Sequence, residues 1–262
     1  MAEKKRPTVT NAAGYQEAKA AAEANQAALQ GKATGYRVGA IVLWVLAFVF
    51  ELLAALVVFG KLNITFIPTL AALIIFIVLD LACVIIGSQL WKKANHIRPA
   101  SEKNQFTFWL WNNMGVIVAC FAFVPIILIM LTNKNLDKRT KVIATVAAVI
   151  ALLVGGAASF DYNPVSQEQQ EAAMSTLGAA DVYWTPFGKV YHTHVLFDAT
   201  GDVSETCPHL NNSDGLTRGT VEQAIAAGRT RLCSWCAKHD GIGGDVATDG
   251  ADTSGEAVEY SD

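Results

Sequence analysis

Residues 38–60 read VGAIVLWVLAFVFELLAALVVFG, with one charge, Glu51. A helix that crosses a bilayer needs about 20 mostly apolar residues, and this stretch supplies them. Three more follow, at 64–90, 106–131 and 142–160. The second contains one charge, Asp80, with Pro68 in its first turns. The third opens FTFWLWNNMG and has Pro125 late, and the fourth has no charge at all. Helices apolar on every side belong in a membrane or in the core of a far larger protein. The sequence therefore predicts a four-helix transmembrane domain over residues 37–160.

Composition agrees with that reading. Of 262 residues, 52% are hydrophobic and 16% charged, against about 25% charged in an ordinary soluble domain. Charge is also divided along the chain. The first 160 residues contain fifteen Lys/Arg and seven Asp/Glu, whereas the last 102 contain five and sixteen. Trp91, Trp109, Trp111 and Tyr36 lie near span ends, where amphipathic rings prefer the headgroup layer. The opening MAEKKRPTVT leads into an Ala/Gln/Glu-rich stretch and not into an apolar core with a cleavage site, so no secretory signal peptide is expected.

Lys/Arg bias orients the spans. With the N-terminus inside, ten basic residues fall in cytoplasmic segments and five outside, the latter including the loop TNKNLDKRTK. The expectation is a multi-pass protein of the inner (plasma) membrane with both termini cytoplasmic. Around the spans lie a polar N-terminal segment (1–36), partly helical over 12–30 with Gly31 as the stop, a linker (161–182), a module (183–240) and an acidic tail (241–262). The tail is rich in Gly and acids and poor in large apolar residues, so it should be disordered.

Two carboxylates, Glu51 and Asp80, sit near the middle of their spans without a Lys or Arg in any span to pair with. A bare charge there costs roughly 3 kcal/mol or more. They are read as protonated groups tying helices together, with a proton or cation path lined also by Asn112 and Asn113 as the alternative. Measured from a turn at 61–63, their depths differ by roughly 10 Å at 1.5 Å per residue, which excludes one two-carboxylate site. Cys83 and Cys120 read as small buried hydrophobes.

The chemistry concentrates in the polar half. Cys233-Ser-Trp-Cys236 has the spacing that brings two thiolates to one metal, Cys207 supplies a third sulfur, and His192, His194, His209 and His239 are candidates for a fourth ligand. A metal would stabilise so small a module directly. Thr220 and Gln223 fit a capping box, and Gly228 fits the stop of the short helix that follows. Trp235 lies between the cysteines, positioned either to cover the site or to meet a partner.

Tyr191-His192, Cys207-Pro208-His209-Leu210, the helix Val221–Gly228 and Cys233-Ser234-Trp235-Cys236 occur in an order that resembles the metal-binding domain of Ada-type methylphosphotriester DNA-repair proteins. The resemblance covers about residues 183–240. It implies zinc as cofactor, held by His192, Cys207, Cys233 and Cys236. Here VLFDATGDVSET separates the histidine from the first cysteine. A hairpin at Asp-Ala-Thr-Gly-Asp would bring them together, and in the strand KVYHTHV both His192 and His194 would share one face, leaving His194 as the alternate ligand. In layout the whole chain also resembles uncharacterised four-span membrane proteins of actinobacterial type. The expected fold is thus an all-α membrane bundle of four transmembrane helices with a small α+β zinc-binding C-terminal module.

Four protein ligands leave no open position for a reactive water, and neither a phosphate-binding Gly-x-x-x-x-Gly-Lys-Ser/Thr nor a His-Glu-x-x-His pattern is present. The expected role is non-enzymatic, a structural-zinc module for interaction with a protein partner beside the lipid bilayer. The alternative is a thiol redox or metal-sensing module regulating a small transmembrane transporter or channel, for which four helices provide only a small pore or require an oligomer. Nucleic acid is not the expected partner, because residues 183–240 carry five basic against six acidic side chains and phosphate binding needs clustered Lys/Arg.

Overall fold

A computed structural model describes residues 8–16, 22–62, 66–134, 136–177, 180–210, 215–242 and 246–248. They fall into two compact units: the described parts of Gly31–Asn95 and Glu102–Pro164, and those of Met1–Gln30, His96–Ser101 and Val165–Asp262.

The first unit is helical: α1 (Ala22–Val58) from Gly31 on, α2 (Thr69–Ile97) as far as Asn95, α3 (Gln105–Asn112), α4 (Met114–Thr132) and α5 (Lys138–Ser159). Gln30–Val58, α2, α4 and α5 are each long and apolar enough to cross a membrane. Their packing is inside-small and outside-large. Ala47, Ala54, Ala119, Ala122, Ala144 and Ala148 are buried around Leu73, Val84, Phe123 and Ile126, whereas Val42, Leu52, Val78, Leu128, Ile150 and Leu153 are exposed. Small residues let helices approach closely, the arrangement that drives association where the surroundings are as apolar as leucine. At Gly115 an added Cβ would run into the Ser88 hydroxyl, and at Gly87 it would lie 2.6 Å from the Trp44 indole nitrogen.

Polar contacts tie the helices mainly near their ends. The buried Ser159 hydroxyl donates to Ser88 Oγ at 2.9 Å. Lys92 Nζ donates to Ala158 O at 2.8 Å, placing a cation on the open carbonyls at the end of α5. Trp91 Nε1 and Asn95 Nδ2 both donate to Trp111 O, and the Arg37 guanidinium lies 5.4 Å from the Trp111 ring centroid.

Two boundaries differ from the sequence reading. The expected span 106–131 is broken at Asn113 into α3 and α4. The Asn112 and Asn113 amides donate to Phe108 O and Trp109 O, each at 3.0 Å, so the side chains compete with the backbone for helical carbonyls. The N-terminal helix also does not stop at Gly31: α1 runs through Gly31 and Gly35. A helical glycine costs about 1 kcal/mol against alanine and does not by itself end a helix.

The second unit is α+β. A three-stranded sheet has the order β1 (Thr8–Asn11), β6 (Gly215–Gly219), β2 (Val182–Trp184), with β1 parallel and β2 antiparallel to the centre. A parallel pair joins β3 (Val190–Tyr191) to β7 (Arg231–Leu232), and an antiparallel hairpin joins β4 (Val195–Phe197) to β5 (Val203–Thr206). Helices α6 (Gln167–Leu177), α7 (Val221–Ala226) and α8 (Ser234–His239) complete it. Val182, Tyr191, Leu210, Leu216, Val221, Ile225 and Leu232 form the core together with Cys207, Cys233 and Cys236.

This unit extends beyond residues 183–240. The segment 161–182, read as a linker, contains α6, whose Ala173 and Leu177 enter the core. Gln167 N of α6 donates to Ala100 O at 3.0 Å. The N-terminal strand β1 adds to the sheet beside β6, and Arg218 Nε donates to Asp181 Oδ2 at 2.8 Å on a side chain that also receives the Tyr15 hydroxyl. Within the expected tail, Val246 and Ala247 are buried, and Thr248 bridges to Leu232. Residues 243–245 and 249–262 of that tail lie outside the described residues.

Candidate metal centre

Four local structures converge on one buried point. His192 follows β3, where it exchanges two backbone hydrogen bonds with Tyr183, at 2.7 and 2.8 Å. Cys207 follows β5 and starts a single 3-10 turn, Pro208–Leu210, with its own N–H bonded to His194 O at 2.9 Å. Cys233 follows β7 and is fixed by donation from its N–H to Tyr191 O at 2.9 Å. It stands at the N-cap of α8, and Cys236 lies one turn in. The hairpin between His192 and Cys207 turns at Asp198-Ala-Thr-Gly201-Asp202, where the Asp198 carboxylate accepts from the backbone of Thr200 and Asp202 and Gly201 adopts φ +85°. The insertion is thereby folded out, and its ends meet.

His192, Cys207, Cys233 and Cys236 are all buried, and their donor atoms lie within 4.8 Å of one another. Cys207 Sγ is 3.8 Å from Cys233 Sγ, and Cys236 Sγ is 3.7 Å from His192 Nδ1. The three thiols are free. A tetrahedral ion with metal–sulfur bonds of about 2.3 Å and a metal–nitrogen bond of about 2.0–2.1 Å requires S···S and S···N edges of about 3.8 and 3.5 Å. The donors stand close to that spacing.

Electrostatics favours the same conclusion. Thiol groups of Cys207 and Cys236 directed at Cys233 hold the Cys233 thiol far below its ordinary value, while Cys207, as donor to Cys233, is pushed far up. A divalent ion among the three sulfurs would compensate them as thiolates.

The other histidines divide differently from their order in the sequence. His194 is not in this cluster. The chain leaves the strand at Thr193, where Val195 N donates back to Thr193 O at 3.1 Å, so the two-residue alternation that would keep His194 beside His192 is lost. Its Nε2 instead lies 3.6 Å from Glu205 Oε1, and its Nδ1 lies 3.6 Å from Asp240 Oδ1. His209, one of the four candidates for the remaining ligand, is exposed, yet its Nδ1 is 3.2 Å from Cys233 Sγ, within reach of a hydrogen bond to the sulfur. The two-residue step from Cys207 keeps His209 among the sequence candidates, and the 3-10 turn Pro208–Leu210 directs it back to the cluster, beside Cys233. His239 stacks on Trp235, with centroids 4.5 Å apart. Trp235 therefore meets both histidines, with its ring 5.3 Å from that of His194, while also packing against the core that contains the cysteines.

In the helical unit, Asp80 is buried and its Oδ1 has no hydrogen-bond partner among the described residues, whereas Glu51 is half-buried. Cys83 is buried and Cys120 exposed. The chain matches no protein-family model, no curated protein and no solved structure.

Proposed function

We propose that this chain is an integral protein of the plasma (inner) membrane whose C-terminal unit is a structural-zinc interaction module. The four apolar helices are the membrane part, with both termini in the cytoplasm, and the module presents a folded surface to a protein partner. Zinc is the ion because it takes three thiolates and one imidazole in a closed tetrahedron without redox change. The observation that carries this reading is the pair of edges at 3.8 and 3.7 Å within one wholly buried donor set of three sulfurs and one nitrogen. A closed donor set gives no position for a metal-bound water, which favours a structural over a catalytic role. The likeness to Ada-type modules supports the same ligand set and is limited to that region.

Thiol redox requires an accessible thiolate. Cys207, Cys233 and Cys236 are each 0% exposed, which favours metal over exchange chemistry. Metal analysis of the full chain, purified in detergent and dialysed against metal-free buffer, tests the reading. One tightly held zinc per chain, lost in Cys233→Ser and Cys236→Ser, is expected. A chain that stays folded with no metal at the thiols overturns it.

A further inference from the structure

We infer that His194, His239 and Asp240 form a second metal site, open to solvent and suited to an exchangeable divalent first-row transition ion such as Zn2+ or Co2+. Their donor atoms lie within 4.8 Å of one another. Asp240 Oδ1 is the shared point, 3.0 Å from His239 Nδ1 and 3.6 Å from His194 Nδ1. With metal–ligand bonds of about 2.0–2.2 Å, adjacent donors around one ion stand about 3.0 Å apart in an octahedron and about 3.4 Å apart in a tetrahedron. The measured separations bracket that range.

The groups around these donors are arranged to hold them. Asp240 Oδ2, the oxygen turned away from His239, accepts the Thr193 hydroxyl, which fixes the plane of the carboxylate. His194 turns Nδ1 to Asp240, and its buried Nε2 faces Glu205 Oε1 at 3.6 Å. That separation is longer than a hydrogen bond, so Nε2 is buried without a hydrogen-bond partner among the described residues and Glu205 offers it only a nearby negative charge. The His239 ring is set by stacking on Trp235 at 4.5 Å with 17° between planes, and the His194 ring approaches it edge-on at 4.3 Å. His194 is buried while His239 and Asp240 are exposed, so the site has one anchored ligand and two at the surface.

The chemistry of the donors separates this site from the cysteine cluster. Two imidazoles and a carboxylate select zinc, cobalt, nickel or copper over calcium or magnesium. Three protein ligands leave coordination positions to water, and exposure lets the ion exchange. His239 lies three residues after Cys236 in the same short helix, so the two sites share one turn of backbone.

The test is titration of the metal-free, untagged full chain in detergent with Co2+, read by absorption and by equilibrium dialysis. Sulfur-bound cobalt shows an intense thiolate charge-transfer band, and the cobalt at the second site adds bound metal without adding to that band. Two equivalents are expected, the second weaker. His239→Ala and Asp240→Asn should each weaken the second equivalent at least tenfold and leave the thiolate band at full intensity. One equivalent in the wild type would overturn the inference, as would a second equivalent that persists in both variants, since His239 and Asp240 would then form an ion pair only. Loss of both equivalents together would also count against two separate sites. Absence of the thiolate band in the wild type contradicts the structural-zinc reading instead, and leaves this inference to stand or fall on the variants.

Discussion

Replacing His209 by Ala probes its contact with Cys233. His209 Nδ1 is 3.2 Å from Cys233 Sγ, and the side chain is exposed, so the substitution opens no cavity in the core. A hydrogen bond to a ligating sulfur withdraws charge and orients the lone pairs. Loss of such outer-shell partners costs about 10–100-fold in metal affinity, or about 1.4–2.7 kcal/mol. His209→Ala should therefore hold zinc about 10–100-fold more weakly than the wild type and still fold around it. The assay is competition against a chromogenic chelator of known affinity, with full chain in detergent, at fixed pH and salt. His209→Asn, whose amide nitrogen stands two bonds from Cβ as the histidine Nδ1 does, should fall between the two. An affinity within twofold of wild type would refute the outer-shell role. Complete loss of metal would equally refute it, by showing that His209 and not His192 is the nitrogen ligand.

Three further outcomes follow from the same structure. Stripping metal with a strong chelator should disorder the module, seen as loss of protection in β3, β7 and α8 by hydrogen exchange, because binding energy at a structural site is folding energy; the helical unit should keep its protection. Thr220→Ala removes the capping box at α7, where Thr220 Oγ1 accepts from Gln223 N at 3.3 Å and Gln223 Oε1 accepts from Thr220 N at 3.1 Å. It should destabilise the module by about 1 kcal/mol, read as a lower Tm with metal content unchanged. Phe123→Ala, at a fully buried ring in the helical unit, should cost about 3 kcal/mol in detergent unfolding. That is the low end for phenylalanine truncation, since the unfolded reference in an apolar solvent retains part of the contact energy.

The apolar helices were legible because a helix long and apolar enough to cross a membrane is written as one continuous run, and a run is a local property. Their internal breaks were not. Asn112 and Asn113 read as polar lining, but as adjacent amides they turn onto the preceding carbonyls and divide the helix. In the module, the Cys-x-x-Cys pair and the capping box depend on spacings of three residues and were visible in the sequence. The choice between His192 and His194 depended on where a strand ends, and a single backbone turn at Thr193 settles their positions. The strand Thr8–Asn11 was not legible either. Its partner, Gly215–Gly219, lies some two hundred residues away, and TVTN carries no pattern that distinguishes an added strand from a polar tail. Helix α6 was missed for a related reason. QEQQEAAMSTL offers the core only Ala173 and Leu177, too few apolar positions to separate a docked helix from a linker.

Zinc K-edge absorption on the metal-loaded full chain reads the proposed closed zinc site of three sulfurs and one nitrogen ligand by ligand. With the second site disabled by His239→Ala, so that one class of site contributes, three sulfur scatterers at about 2.3 Å and one nitrogen at about 2.0–2.1 Å are expected. A first shell of nitrogen and oxygen alone, four sulfurs, or a chain that takes up no zinc would contradict the proposed site.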